Sequence, residues 1–581
     1  MVCRHHSRVA NHNHNCTLSP VEHVMPLSHP PVSYRNLPVT VMGLGRFGGG
    51  LGAVKFLLER GARVTVTDLR PASQLADTLK EFDATQLVRL QCGGHVDADF
   101  SDAQLIVVNP AVKPSCPWLA KARERGIPRT SEMNLFWQHN RGRVIGVTGS
   151  NGKSTTTALI AHLLKTAGRV VHLGGNLGVS LLPLVDTIEP TDWVVLELSS
   201  FQLADLDRIE ASPEIAVVTN FAPNHLDWHP DLDDYRWAKQ TILRWQTVDS
   251  TAVLNADDAD VREWVTRGRR WFFGSAAGAV LSGSPQAIVD GPWLRLSGHG
   301  EGEAPAEPLL PEGVHSGGGS AGASPSRDES VRGPGTPPHP GTLPHSDPFS
   351  ESNAERGGEG AENESGNFLP LSDLLSLPGE HNRMNAAAAI CAVLAAGVEW
   401  ESLAGGLKTF RGLPHRLEWV GEVAGRRFYN DSLATTPESA ICALKAFPGR
   451  MLLLAGGYDK HVDLTAFAEE AARSCVAIAW MGQTAKTLEA MVTLLSGEAL
   501  AAGSPASDQQ SRRLALCRSR KLTHSLREAF EWLWEQSQPG DTILLSPACS
   551  SFDWFMNFAD RGDQFRTLVR EIEARSPLGG Q

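Results

Sequence analysis

Short apolar runs recur along the chain at 39–42, 63–67, 105–108, 144–147, 193–196, 215–218 and 251–254, separated by helix-compatible or loop-forming stretches. Most are runs of four or five residues without regular polar alternation, 63–67 excepted, and predict strands covered on both faces. Their alternation with helical segments predicts parallel, doubly wound sheets. A second series at 451–454, 476–480 and 542–545, with another strand near Phe428, begins after the Gly412-Leu413-Pro414 turn and predicts a further α/β unit. The 581 residues are enough for three to four cores of ordinary size. The expected fold class is α/β with three domains: an N-terminal Rossmann-like domain at 38–140, a central domain at 141–411 and a C-terminal Rossmann-like domain at 412–581.

Two stretches break the pattern. Residues 1–37 carry six histidines and two cysteines without apolar periodicity, and they read as a disordered extension. Residues 300–366 hold 14 Gly and 10 Pro but only six Ile, Leu, Val, Phe or Met. Such a stretch buries too little apolar surface to offset its ordering entropy, so a disordered insertion at a surface turn is expected. A smaller break spans 503–511.

Charge and cysteine usage narrow the class of function. The formal charge is −12, from 65 acidic and 53 basic residues, and the insertion alone contributes twelve acidic against three basic. The remainder is nearly neutral, which argues against binding to nucleic acid. The longest apolar stretch, 386–398, has thirteen residues where a membrane span needs about twenty, so no membrane insertion is expected. Nine cysteines without a C-x-x-C pair fit reduced thiols, and a cytoplasmic monomer is expected.

Three motifs carry chemistry. Gly146-Val-Thr-Gly149-Ser150-Asn151-Gly152-Lys153-Ser154-Thr155 follows a strand and opens a helix. Glycines there let backbone N–H groups converge on phosphate, Lys153 adds a point charge, and Ser154 is suited to Mg²⁺. The spacing is a variant of the common phosphate loop, with Val147 where the first glycine usually stands. Gly43-Leu44-Gly45-Arg46-Phe47-Gly48, with Asp68 twenty residues on, satisfies the dinucleotide fingerprint. The same geometry holds any nucleoside diphosphate, so a nicotinamide-dependent oxidoreductase and a nucleotide-sensing scaffold stay open at this point. Third, Glu197 and His225 lie at predicted strand ends after the phosphate loop, as hard-cation ligands would.

These residues, in this order, resemble the Mur ligases, three-domain enzymes that form amide bonds at the expense of ATP. The resemblance runs from about residue 38 to the C-terminus, outside the insertion. It extends to Gly175-Asn176-Leu-Gly178, His381-Asn382-Arg-Met-Asn385, Leu413-Pro414-His415-Arg416, Asn430-Asp431-Ser432, Gly456-Gly457-Tyr-Asp459-Lys460 and Leu545-Ser546-Pro547-Ala548 followed by Phe558-Ala-Asp-Arg561-Gly562. The nearest branch adds D-glutamate to UDP-N-acetylmuramoyl-L-alanine; a folylpolyglutamate-type ligase fits less well. The resemblance implies that Gly45, Arg46, Phe47, Asp68, Arg70, Asn109 and Asn176 hold the UDP-linked substrate. It implies that Gly149 to Thr155, Asn382, Arg416 and Asp431 hold ATP. Ser154, Glu197 and His225 would hold Mg²⁺ together with Lys239, the position carbamylated in the family. Lys153, Glu197, His225 and Lys239 would form the catalytic set, and Thr435, Lys460, Ser551 and Phe558 the amino-acid site. Leu433 departs from the pattern, since a lysine often follows Asp-Ser.

Overall fold

A computed structural model describes residues 33–45, 49–177, 180–226, 228–276, 284, 286–297, 368–374, 377–447, 449–501, 517 and 519–575. Arg46, Phe47, residues 1–32, the 300–366 insertion and the 503–511 break lie outside the described residues. Among the described residues, twenty strands form three sheets.

The first sheet contains β1 (Pro38–Met42), β2 (Arg63–Asp68), β3 (Arg89–Cys92), β4 (Leu105–Val108) and β5 (Arg129–Thr130), in the order β3-β2-β1-β4-β5. All its pairings are parallel. The strand order reverses between β1 and β4, and the glycine turn leaves β1 at that crevice, the position where open α/β sheets place ligands. Packing begins ahead of β1: Tyr34 is buried, with its ring 5.5 Å from Phe56 and 5.7 Å from His139.

The second sheet comprises β6 (Arg143–Thr148), β7 (Val171–Gly175), β8 (Trp193–Glu197), β9 (Ile215–Val218), β10 (Thr251–Asn255), β11 (Arg269–Ser275), β12 (Gln286–Asp290), β13 (Trp293–Ser297) and β14 (Phe368–Pro370). Its order is β14-β13-β12-β11-β10-β9-β6-β8-β7, with β13 antiparallel to both neighbours. Residues 386–395 of the apolar stretch noted at 386–398 belong to the helix Glu380–Ala395, where Ala386 through Val393 are all fully buried. That helix packs beside the Lys153–Thr166 helix and over β9 to β12, so its Ala386–Val393 stretch is buried on every side and apolar throughout. Its alanines allow this close approach.

The third sheet contains β15 (Glu418–Val423), β16 (Arg426–Asn430), β17 (Met451–Gly456), β18 (Cys475–Met481), β19 (Ser519–Leu522) and β20 (Thr542–Leu545). They run in the order β15-β16-β20-β17-β18-β19, with β15 antiparallel to β16. Each predicted strand is present, within a residue or two of its expected ends. Among the described residues, no helix is long and apolar enough to cross a membrane.

Candidate functional site

The phosphate-loop motif forms the turn between β6 and the Lys153–Thr166 helix. Two of its glycines are required by geometry. A Cβ on Gly149 (φ +148°) would stand 1.9 Å from Thr219 Oγ1, and one on Gly152 (φ +81°) 2.3 Å from Asn385 Oδ1. The loop is braced from the segment after β9: Asn220 Oδ1 accepts from the Asn151 N–H at 2.8 Å, and Thr219 Oγ1 donates to the Asn151 carbonyl at 2.5 Å. Ala222 N–H donates to Ser150 Oγ at 2.8 Å. Lys153 Nζ folds back to donate to the Gly149 and Ser150 carbonyls at 2.9 and 3.0 Å. Burial lowers its pKa, opposed by the nearby Glu197 carboxylate and reinforced by Arg416. Ser154 and Thr155 follow in the first helical turn.

Replacing Gly152 with alanine is expected to raise the KM for ATP about tenfold, because the new methyl must displace Asn385 and hold a left-handed backbone, which costs about 1–2 kcal/mol. Steady-state kinetics with each substrate varied in turn would read this. An unchanged KM for ATP would show that the packing at this glycine does not shape the nucleotide site.

Glu197 ends β8, in register with Val147 of β6 on one side and Gly175 of β7 on the other. It is buried. Asn176 Nδ2 donates to Glu197 Oε1 at 3.0 Å, while Glu197 Oε2 is buried with no hydrogen-bond partner among the described residues. An orphaned carboxylate oxygen beside a phosphate loop fits a hard divalent cation. Lys239, also buried, donates from Nζ to the Gly149 carbonyl at 2.8 Å and Thr148 Oγ1 at 3.3 Å. Burial drives its pKa well below the usual lysine value, with Lys153 pushing the same way and Glu197 opposing. His225 sits on the turn after β9 with φ +55° and an exposed side chain, its ring 5.0 Å from Phe201.

Asn382, Arg416 and Asp431 line one cleft of about 260 Å³ together with Asn151, Gly152 and Thr155. The structure therefore joins residues from the second and third sheets that stand far apart in sequence. Asp431 Oδ2 accepts from Ser546 Oγ at 2.8 Å and Oδ1 from the Leu417 N–H at 3.1 Å. Burial pushes its carboxyl up to about 7 against those hydrogen bonds. Asn382 Oδ1 accepts from Asn385 Nδ2 at 3.3 Å, and Asn385 Oδ1 accepts from Thr156 Oγ1 at 3.4 Å, which ties the cleft wall to the helix that follows the phosphate loop. Leu433 lines the same cleft.

In the first sheet, Asp68 is buried and its carboxylate is occupied within the protein. Oδ1 accepts from the Arg70 backbone N–H at 2.9 Å and Oδ2 from the Arg70 guanidinium at 3.0 Å and the Gly45 N–H at 3.3 Å. Asn109 Nδ2 donates to the Gly43 carbonyl at 3.3 Å, so these two side chains shape the glycine turn. Thr435, Lys460 and Ser551 lie on loops at one end of the third sheet, and Phe558 opens the helix Phe558–Arg575. A residue without an assigned role organises them: Arg561 is completely buried, and its guanidinium donates to Ser432 Oγ at 3.0 Å, the Ser432 carbonyl at 2.9 Å and the Cys549 carbonyl at 3.1 Å. Ser432 Oγ in turn donates to the Phe558 carbonyl at 2.7 Å. Lys460 is exposed at the rim, and partial desolvation lowers its pKa.

Comparison with known proteins decides the family. Residues 38–131 match the MurD-like N-terminal domain of Mur ligases, 147–286 the Mur ligase middle domain and 415–549 the Mur ligase glutamate ligase domain. UDP-N-acetylmuramoylalanine--D-glutamate ligase from Acidobacterium capsulatum is 34% identical over 91% of this chain and 95% of its own length. The chain belongs to the Mur ligase family. A second relative of the same name, from a Roseiflexus species, is 34% identical over 92% of this chain and 98% of its own. The solved UDP-N-acetylmuramate-alanine ligase MurC of Thermotoga maritima shares the fold, with a TM-score of 0.51 at 16% identity over 92% of this chain and 99% of that one. This Mur ligase is thus an ATP-dependent, amide-forming enzyme of peptidoglycan precursor synthesis, and its middle domain binds ATP. The oxidoreductase and scaffold readings of the first glycine turn fall away.

Proposed function

We propose that this Mur ligase joins D-glutamate to UDP-N-acetylmuramoyl-L-alanine in the cytoplasm, through an acyl phosphate made with ATP. The observation that carries this reading is the likeness, over nearly the whole chain, to relatives named for that reaction, together with the MurD-like N-terminal domain. The chemistry needs an activated acid because a carboxylate repels an amine, whereas a mixed anhydride offers an electrophilic carbonyl and a phosphate ready to leave.

In this reading the glycine turn after β1 receives the UDP diphosphate, and Asp68 acts by holding Arg70 and the Gly45 N–H in place rather than by a free carboxylate. Gly149 to Thr155 receive the triphosphate on converging N–H groups at a helix start. Lys153 leaves its two loop carbonyls for the transferring phosphoryl group. Asn382, Arg416 and Asp431 line the remainder of the nucleotide cleft. Mg²⁺, held by Ser154, Glu197, His225 and a carbamylated Lys239, would neutralise charge on the phosphoryl oxygens. Lys460 supplies the positive charge for an acidic amino acid, with Thr435, Ser551 and Phe558 around it. Closure over the site would exclude the water that hydrolyses an acyl phosphate.

Competition among D-glutamate, L-glutamate and D-aspartate tests the assignment. D-Glutamate should support ADP release that requires UDP-N-acetylmuramoyl-L-alanine, with a kcat/KM about 10²-fold or more above either competitor, since the disfavoured acids leave charged groups of the site unpaired. Equal turnover of the two glutamate enantiomers would sink it.

A further inference from the structure

Behind the His225 turn lies a chain of three polar side chains that the steps above do not use. Ser200 opens the helix Ser200–Leu206, His229 closes the turn after β9, and Asp234 stands in the first turn of the helix Leu232–Arg244. His229 Nε2 lies 2.9 Å from Ser200 Oγ, and Nδ1 lies 2.6 Å from Asp234 Oδ2. A carboxylate only accepts, so Nδ1 carries a proton and donates to Asp234, which leaves Nε2 against the Ser200 hydroxyl. The order of atoms is that of a serine-hydrolase relay. Yet Ser200 is 2% exposed and His229 1%, and neither lines the nucleotide cleft. A hydroxyl so enclosed has no acyl donor to attack, and the chain of hydrogen bonds is a brace.

What it braces is specific. Ser200 follows Glu197 by three residues, and His229 follows His225 by four. The His225 carbonyl accepts from the Trp228 and His229 N–H groups at 3.0 and 2.9 Å, so anchoring the His229 ring anchors the His225 backbone in its left-handed conformation. Phe201 stacks on His229 with ring centres 5.7 Å apart and meets His225 edge-on. Tyr235, beside Asp234, packs 5.2 Å from His229, and its hydroxyl lies 3.2 Å from Ser150 Oγ of the phosphate loop. One imidazole therefore ties together the ends of β8 and β9 and, through Tyr235, the phosphate loop.

We propose that His229 is a positioning residue for the divalent-cation site, setting Glu197 and His225 relative to one another. This rests on the reading of those two residues as cation ligands. Outer hydrogen-bond partners of ligands typically govern metal affinity by about 10–100-fold.

The test is a titration of Mn²⁺ against the full-length protein with ADP, following free Mn²⁺ by electron paramagnetic resonance. His229→Ala should weaken Mn²⁺ binding about tenfold or more, and Ser200→Ala and Asp234→Asn, each cutting one tether, should weaken it about threefold or more. The double variant Ser200→Ala/His229→Ala should be no weaker than His229→Ala alone, because both remove one linkage. Affinity for UDP-N-acetylmuramoyl-L-alanine should stay within about twofold, which a loss of fold would not allow. His225→Ala separates the two ideas. If it weakens Mn²⁺ binding while the three brace variants do not, the brace is refuted and the ligand reading stands. If His225→Ala has no effect, both fall. Should His229→Ala fail to fold, unchanged Mn²⁺ binding in both Ser200→Ala and Asp234→Asn overturns the proposal by itself.

Discussion

Lys153→Ala should lower the rate of ADP formation by about 10²–10³-fold or more, the scale seen when one preorganised charge-stabilising donor is removed from a transition state. Lys153 stands at the first position of the helix that follows β6, and its ammonium donates to two carbonyls of its own loop. Those contacts are exchangeable for phosphate oxygens. Burial with a lowered pKa also means that the side chain gains more from a phosphate partner than an exposed lysine would. Affinity for the UDP-linked substrate should stay within about twofold, because the glycine turn held by Asp68 and Arg70 belongs to a different sheet. Lys153→Arg should recover little, since a planar fork does not replace a compact ammonium in a tight loop. Calorimetry for the UDP substrate beside a coupled ADP assay would read both halves. Undiminished turnover in Lys153→Ala would remove the phosphate loop from the mechanism.

The parts of this architecture visible in the sequence share one physical property: strong local constraint. Strands such as β4, β9 and β17 are buried along their whole length, so their apolar runs have no competing explanation. The turn at Gly149 and Gly152 was legible because added Cβ atoms would collide with Thr219 and Asn385, so those positions admit glycine alone. Strands at or next to an edge were harder to see. β3, at one edge of the first sheet, is half-buried along its length, and β13, just inside the edge strand β14, carries polar residues through its run, so neither forms a continuous apolar run. The braces of the site were harder still. Thr219 and Asn220 grip a loop almost seventy residues earlier, and Arg561 joins loops 12 and 129 residues away. Polar residues just past a strand's end were the available signal for the first pair. Arg561 stands in the Phe558-Ala-Asp-Arg561-Gly562 motif that the resemblance marks, but its bracing role depends on the assembled third sheet, which buries it completely.

Lys239 shows how a residue with no local signal acquires a chemical one from folding. As a lysine on the helix Leu232–Arg244 it would ordinarily be charged and solvated, but here it is 2% exposed. The direction of its shift is downward, so the neutral amine is populated at lower pH than in the unfolded chain. A neutral Nζ attacks CO₂: the C–N bond forms, one carbonyl pair moves to oxygen, and an N–H proton passes to solvent. The product would be a carbamate, an anion that the nearby Lys153 ammonium favours where it disfavours an ammonium on Lys239. Because proton loss precedes attack, carbamylation should increase as pH rises through the lowered pKa, and the folded protein should also gain stability over that range, since the unfolded chain binds the extra proton. Lys239→Ala is expected to cut turnover by about 10²-fold or more, comparable to loss of a residue that organises charge around a transferring phosphoryl group. Protein equilibrated with ¹³C-bicarbonate should show a carbamate carbon resonance that is absent from Lys239→Ala and fades when the pH is lowered. A variant that keeps full activity, or a wild-type spectrum with no such resonance at any pH between 7 and 9, would leave Lys239 as a buried structural amine and move the task of completing the cation site to other residues.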